Sequence, residues 1–596
     1  MNTTPGRFTF LLPKIRAGLA GALGRFPWML LCGLAGTVAA IVSVEREKDD
    51  DVTMRCLRLL MTVALGMPLF FSLRMLRERS AALMRWPVEL IGLPLLVVWF
   101  FTLPAKPTDG PGIVWIRWLL LLAALHFFAA VSAYARGAEG AGFWQFNRRI
   151  FLRFCLATLY SAVLTGGLEL ALLSADKLFE LKLEKSYAYL FYIMAGCFHP
   201  VFFLAGVPRD FAALDSDGEH PRGLKAFTQF ALAPLVAVYT LILYAYAGKI
   251  LLAREWPHGW VALPVLVLAG VGILAALLLN PLRERAEEKW AGWFCRWFPR
   301  AMGPLSLLLL LSVRERIAAY GVTEERYLGI VAGGWILVWS LIFIFKKRAG
   351  IRWIPASLAV ICLLAAFGPW SAGTISKNSQ LRRLEKLLEA HGLFANGQIS
   401  VPGKTLELPS KDYEDMRSTI AYLVDKHGGE TLRGLLGGAL KNLNWKKLTR
   451  WNEGNEILEK LKLKSNGSNE NITHMCNLDL SAGMPVAGFS KAWELESFSD
   501  RGWEYSKRLG PVVIGIDGGI LKVAANDKAA PQPVLPDTFL KALPEIYNDK
   551  MTAEKMTADW NIDGHSYRFI FQNINFVIAA DGQRHMLSCT LMMAEK

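Results

Sequence analysis

Eleven apolar stretches, each about long enough to cross a bilayer as a helix, fill the chain as far as residue 373, and then they stop. In hydrocarbon every backbone N–H and C=O must be satisfied within the segment, so a chain with this repetition folds as packed helices. The fold class expected is an all-α polytopic membrane bundle of about eleven transmembrane helices with a C-terminal α+β soluble domain. The stretches are 28–44, 57–73, 87–103, 113–134, 150–173, 187–207, 228–247, 260–279, 298–313, 328–345 and 354–370. The hydrophobic share, 53% of 596 residues, exceeds that of ordinary soluble chains, and the excess lies in this part. The expected organisation is a transmembrane helical domain over 1–372, a helical part of the soluble domain over 373–464 and a β-rich part over 465–596.

A formal charge of +15 invites a nucleic-acid reading, but the basic residues sit mainly in short loops between apolar stretches. That distribution is the positive-inside bias of membrane proteins, so the partner expected is the lipid bilayer and not nucleic acid. Arg7, Lys14, Arg16 and Arg25 precede the first stretch, and alternate loops carry Arg74, Arg77, Arg79 and Arg85, then Arg136, Arg148 and Arg149, then Arg283 to Arg300, then Lys346 to Arg352. This side is predicted to be cytoplasmic. With an odd number of crossings the N-terminus lies inside and the soluble domain outside. The ninth stretch has a short apolar core, Leu305 to Leu311, and is the one that a re-entrant path would fit. The first stretch lacks a small-residue cleavage site and reads as an uncleaved helix.

Tryptophans cluster near the ends of the stretches (Trp28, Trp86, Trp99, Trp115, Trp256, Trp260, Trp353, Trp370), as an interfacial belt requires. Ile15, Leu19, Leu23 and Phe26, and separately Trp290, Trp293, Phe294 and Trp297, recur at helical spacing among basic residues. They read either as helices lying on the membrane surface or as extensions of the bundle.

Beyond the last stretch, helical periodicity marks 379–393, 410–427, 430–440 and 445–463, and the polar run 464–471 reads as a loop. Short β-branched and aromatic runs follow at 512–516, 520–524, 567–571, 575–580 and 585–592, with Asp581-Gly582 placed for a hairpin turn. Of eight cysteines only Cys476 and Cys589 lie in this domain, and an oxidising compartment would let them form a disulfide; two reduced cysteines are the other reading. No spacing asks for a metal or another cofactor.

Polar residues inside hydrocarbon are costly and therefore mark candidate sites. They are Glu89, Arg117, His126, Arg153, Glu169 and His199. Glu169 and His199 would form a hydrogen-bonded or proton-linked pair if their helices touch, whereas Glu89 and Arg117 lie near span ends and suit interfacial contacts. Pro200, Pro234 and Pro264 are placed to kink their helices and free carbonyls. The acidic run Glu45 to Asp51, with Arg55 and Arg58 close by, could hold a cation against a lipid-linked phosphate, or be a solvated charge run. Between the ninth and tenth stretches stands Tyr320-Gly321-Val322-Thr323-Glu324-Glu325-Arg326-Tyr327, where Gly321 permits a turn, Thr323 can cap the next helix and the glutamates suit its N-terminal dipole.

That last string resembles the motif of the bacterial multi-pass membrane family catalogued as domain of unknown function 4153. Phe26-Pro27, Leu178-Phe179, Pro208, and Asn378-Ser379-Gln380 with Arg382 match it as well. The resemblance implies a bacterial cytoplasmic-membrane protein, which would put the outer domain in the periplasm, and carries no catalytic residue across. Three functions fit the partition: a permease-like or transport-associated protein with a small-molecule partner, a sensor or scaffold that anchors an outer domain for an envelope protein, and a lipid-linked glycosyltransferase built on Asp49 to Asp51. The first requires a polar cavity between helices, and the third requires Asp49 to Asp51 to face a cavity open to the bilayer.

Overall fold

The computed structural model describes residue 18 and residues 20–438, apart from 48, 109, 136–140, 182, 254–261, 347–349 and 396–397, and beyond 438 the segments named below. Eleven helices follow the predicted stretches: α1 Pro27–Glu45, α2 Asp50–Arg79, α3 Gly92–Thr102, α4 Ile113–Ser132, α5 Ala141–Phe179, α6 Glu184–Ala205, α7 Arg222–Ile250, α8 Ala262–Leu282, α9 Lys289–Tyr320, α10 Glu324–Phe345 and α11 Trp353–Ala366. Among the described residues eight of these are long and apolar enough to cross a membrane: α1, α2, α4 to α8 and α10. Two stretches expected as full spans form shorter apolar helices, Val88–Thr102 and Trp353–Ala366.

The ninth stretch lies within one unbroken helix, α9, whose 32 residues extend about 48 Å at the α-helical rise. A re-entrant turn is therefore absent from it. Trp290 to Trp297 form its first turns, so this segment extends the bundle, and Phe298, Met302, Leu305 and Leu309 carry the buried stripe onward. Of the other surface-helix expectation, Ile15 and Leu19 lie outside the described residues, while Phe26 is buried at the N-cap of α1.

Two of the three prolines act as expected. Pro200 and Pro234 each follow a π-helical turn, Met194–Phe198 and Thr228–Leu232. A proline has no N–H for the carbonyl four residues back, and the wider turn absorbs the missing bond. The freed Gly196 carbonyl packs on α1, where a Cβ at Gly33 would lie 2.2 Å from its oxygen. Pro264, by contrast, sits in the first turn of α8, where no donor is needed and no kink results.

Side-chain bonds tie the loops together in two sets. Arg25 bridges Glu78 at 2.6 Å and donates to the carbonyls of Val207 and Pro208. Arg79 pairs with Asp215, which also accepts from Tyr134 Oη, while Arg352 donates to the Tyr134 carbonyl and Arg149 pairs with Asp217. The second set joins Lys106 to Asp50, Lys185 to Glu45, the Gly112 N–H to the Asp425 carbonyl and Tyr327 Oη to the Trp370 carbonyl. Each helix that contributes to both sets has one end in each, so successive loops alternate between two ends, as the charge pattern requires.

By packing, the chain divides into two units. One comprises Met1–Lys386, Tyr422–Leu435 and Leu443–Thr449; the other comprises Leu387–Ala421, Leu436–Asn442 and Arg450–Lys596. The first thus includes most of α12 (Ala372–Ala390) and the last turn of α13 (Ser410–His427).

The second unit holds two larger sheets, besides the two-stranded pairs Phe394–Ala395 with Gln398–Ile399 and Leu406–Leu408 with Leu463–Ser465. One has four antiparallel strands built on Val512–Asp517 and Ile520–Ala524. The other has seven strands around the long hairpin-like pair His565–Ile578 and Arg584–Glu595. The Asp581-Gly582 turn lies outside the described residues. Inward residues of the two larger sheets, among them Phe569, Phe571, Leu591, Ile514 and Val523, share one core. The predicted loop 464–471 begins instead inside a strand, Leu463–Ser465, paired in parallel with Leu406–Leu408.

Of the two readings of Cys476 and Cys589, the strand register does not fit the disulfide. Cys476 and Cys589 stand on the two strands that flank His565–Ile578, each opposite Ile574. Two strand spacings separate them by about 10 Å, beyond the roughly 7 Å Cα reach of a disulfide. Cys589 is a buried free thiol.

Candidate functional site

The motif between α9 and α10 is built from backbone geometry first. Gly321 ends α9 with φ of +73°, its N–H bonding the Ile317 carbonyl, and a Cβ there would lie 2.8 Å from Gln380 Nε2. Only glycine meets both conditions without strain. Gln380 donates to the carbonyls of Tyr320 and Val322, and Ser379 Oγ accepts from the Val322 N–H. Arg326 closes the turn by donating to the Gly321 carbonyl at 2.7 Å. The two sequence strings that carry the family resemblance, Tyr320 to Tyr327 and Asn378-Ser379-Gln380, are therefore one structure.

Thr323 occupies the N-cap of α10, but its hydroxyl makes no capping bond; the expected cap is its backbone carbonyl alone, which accepts from the Tyr327 N–H. Next in the chain, Glu324 is 2% exposed. Its carboxylate accepts from Ser376 Oγ at 2.7 Å and from Tyr422 Oη, and lies 3.1 Å from His427 Nε2. Ser376 belongs to α12, and Tyr422 and His427 to the end of α13. Burial, and after it the Glu324 charge, hold the Tyr422 phenol well above its ordinary range, so it stays a donor. The N-terminus of α10 adds a favourable dipole to the same carboxylate.

A serine, a histidine and a glutamate in contact suggest nucleophilic catalysis, but the geometry is different. Ser376 Oγ is 3.5 Å from His427 Nε2, the same ring nitrogen that faces Glu324, and its proton goes to the carboxylate. A catalytic triad needs the acid and the hydroxyl on opposite ring nitrogens, with the hydroxyl open to substrate. Ser376 is fully buried. The cluster is an anchored carboxylate that locks the start of α10.

Beside it lies a cavity of about 720 Å³. Trp115 and Ile116 of α4, Leu263 and Leu266 of α8, Ser312 and Val313 of α9 and Gly329 of α10 form its apolar walls, and Arg316, Glu325, Arg326 and Lys426 its polar side. Glu325 and Arg316 are exposed, and Lys426 pairs with Asp425.

The other sequence-predicted residues are scattered. His199 accepts or donates at Thr158 Oγ1, 3.2 Å away, with its ring edge-on to Phe154. Helices α5 and α6 do touch, but Glu169 lies eleven residues past Thr158, about 16 Å along the helix, so it does not pair with His199. Among the described residues Glu169 has no hydrogen-bond or ion-pair partner. His126 is exposed and bonds back to the Leu122 carbonyl of its own helix. Arg153 holds the Phe202 carbonyl, and Glu89 is buried between Arg74 and Arg77. In the acidic run Asp49 caps α2 by accepting from the Val52 N–H, and Asp50 pairs with Lys106. The described residues gather no group of three His, Cys, Asp or Glu side chains that could hold a metal ion. Ser376, Tyr422 and His427 were not legible as partners of Glu324, because they come from two later helices and follow no spacing rule.

The helical part of the chain, the motif included, is similar to known proteins. An uncharacterised protein of Pasteurella multocida is 27% identical over 346 residues, which cover 57% of this chain and 57% of the relative. The chain thus spans little more than half the length of the curated relative it matches. No solved structure matches. The family profile described as Domain of unknown function (DUF4153) matches residues 29–393, from α1 to just beyond α12, and the chain belongs to that family.

Proposed function

We propose that the protein is a permease-like, transport-associated component of the bacterial cytoplasmic membrane, with its N-terminus inside, and that the cavity beside Glu324 is its solute vestibule. One observation carries this reading: four apolar helices wall a cavity of about 720 Å³ whose polar side bears Arg316, Arg326 and Lys426. Cavities between helices that combine apolar walls with a few convergent charges are where membrane proteins hold solutes. With Lys426 paired to Asp425 and Glu324 occupied by its own donors, Arg316 and Arg326 stand against Glu325, a balance that favours a small anion.

The test is accessibility and protection. Ser312→Cys, on the cavity wall, should react with a membrane-impermeant maleimide in intact cells, and an anionic solute that raises the melting temperature of the purified protein should slow that reaction. A Ser312→Cys protein that resists labelling from both sides, with no solute in an anion panel altering its melting, would overturn the vestibule.

A sensor or scaffold is the second reading, favoured by the cluster itself. Ser376, Tyr422 and His427 all follow the last apolar helix, and all close on the first residue of α10. A partner pulling on α13 would act directly on a membrane helix. For the glycosyltransferase reading there is a cavity of about 770 Å³ lined by Glu45, Glu47 and Asp49 to Asp51, but Asp49 is engaged by the helix cap and Asp50 by Lys106, which leaves this reading the weakest of the three.

A further inference from the structure

A second cavity, of about 490 Å³, lies in the helical unit and is almost wholly apolar. Leu65 and Leu69 of α2, Leu95 and Val98 of α3, and Val360 and Leu363 of α11 line it, with a stripe of α4 between them. That stripe runs Leu121, Ala124, Leu125, Phe128, at the spacing of one helix face. Continued one turn towards the start of α4, the same face carries Arg117; on α2 the face of Leu65 and Leu69 continues to Arg58.

These two arginines and Trp99, which lines the groove and is 8% exposed, share a property. Arg58 Nε, Trp99 Nε1 and Arg117 Nε are each buried without a hydrogen-bond partner. Among the described residues Arg58 reaches only the Phe100 carbonyl and ring, and Arg117 stacks on the ring of Phe367 at 5.7 Å with no carboxylate or carbonyl on it. Three donors on three helices thus stand unsatisfied at one end of an apolar groove. From Phe128 to Arg117 the groove spans about 16 Å, half the roughly 30 Å hydrocarbon core and hence the depth of one leaflet.

We propose that this groove is a binding site for an anionic phospholipid, with one acyl chain along α4 and the phosphate on Arg117 and Arg58. An uncompensated guanidinium in hydrocarbon is costly, and a lipid phosphate supplies both the charge and the acceptors it lacks. The site is separate from the vestibule and stands or falls independently of it.

Native mass spectrometry of the full-length protein, exposed in detergent to phosphatidylglycerol and phosphatidylcholine of identical chains, tests the assignment. The wild type should retain phosphatidylglycerol several-fold over phosphatidylcholine. Arg117→Gln should bring that ratio close to one, whereas Arg117→Lys, which keeps the charge, should preserve most of it. Dodecyl phosphate should displace the lipid and inorganic phosphate should not, because the groove contributes through the chain. Equal retention of both lipids by the wild type, an undiminished preference in Arg117→Gln, or displacement by inorganic phosphate as effective as by dodecyl phosphate would overturn the proposal.

Discussion

His427 Nε2 lies 3.1 Å from Glu324 Oε1, and both side chains are almost fully enclosed, at 5% and 3% exposure. With Ser376 and Tyr422 on the same carboxylate, the charge is compensated by hydrogen bonds and not by a cation on a long flexible stem. Glu324→Ala would leave three buried polar groups without their acceptor and should cost about 3–5 kcal/mol, while the isosteric Glu324→Gln should cost about 1–3 kcal/mol. Thermal melting of the detergent-purified variants reads the difference; an unchanged midpoint for the alanine variant would show that the cluster holds nothing.

Tyr422 gives the cluster a pH signature. Its folded pKa lies above the unfolded value of about 10, because burial and the neighbouring carboxylate both oppose the phenolate. The folded state therefore binds this proton more tightly than the unfolded state, so the contribution is full below about pH 10 and is lost as pH rises beyond it. Tyr422→Phe should lower stability by about 1–3 kcal/mol near neutrality and flatten the alkaline limb of the stability curve. Equal alkaline slopes in the two proteins would remove the phenol from the cluster's energetics.

Gly321 combines a positive φ with the close approach of Gln380. Gly321→Ala should destabilise by about 1–2 kcal/mol from the backbone conformation, with a further loss from displacing the Gln380 amide. In a double-mutant cycle, Gln380→Ala should recover only the contact part. Complete recovery would mean that the backbone conformation itself carries no strain.

Much of the helical unit was legible because hydrophobic runs and loop charge are local signals. The eleven stretches, the alternation of loop ends and the turn at Gly321 all follow from a few adjacent residues. What failed was pairing across helices. Glu169 and His199 are both polar in hydrocarbon and would pair if their helices brought them level, but the axial offset between residues on adjacent helices is set by packing and by the π turn at Met194–Phe198, which sequence spacing does not encode. The partners of Glu324 were missed for the same reason. Cys476 and Cys589 illustrate the limit in the sheet, where both face Ile574 from opposite sides and strand order alone decides their distance.

That strand order has a simple chemical consequence. Burial also pushes the Cys589 thiol well above its ordinary pKa, which leaves little thiolate for reaction. Under native conditions Cys589 should resist maleimide, and after denaturation without reductant both cysteines should titrate as free thiols. Electrophoretic mobility should be the same with and without reductant. A reductant-dependent shift abolished by Cys589→Ser would show that the strands pair in another order.

The two sets of loop contacts predict a two-sided labelling pattern. Asp215 and Asp217, with Arg25, Arg79 and Arg149 around them, form an end rich in arginine, which is cytoplasmic in the proposed orientation. Thr108 and Ser216 are both exposed, and they belong to opposite ends, Thr108 beside Lys106 and Asp50, Ser216 between Asp215 and Asp217. In intact spheroplasts Thr108→Cys should react with a membrane-impermeant maleimide and Ser216→Cys only after permeabilisation. The reverse pattern would invert the orientation while leaving the alternation of the helices intact. Equal labelling of both in intact cells would contradict the alternation itself, because residues at the two ends of α2, α4 and α6 would then share one side of the membrane.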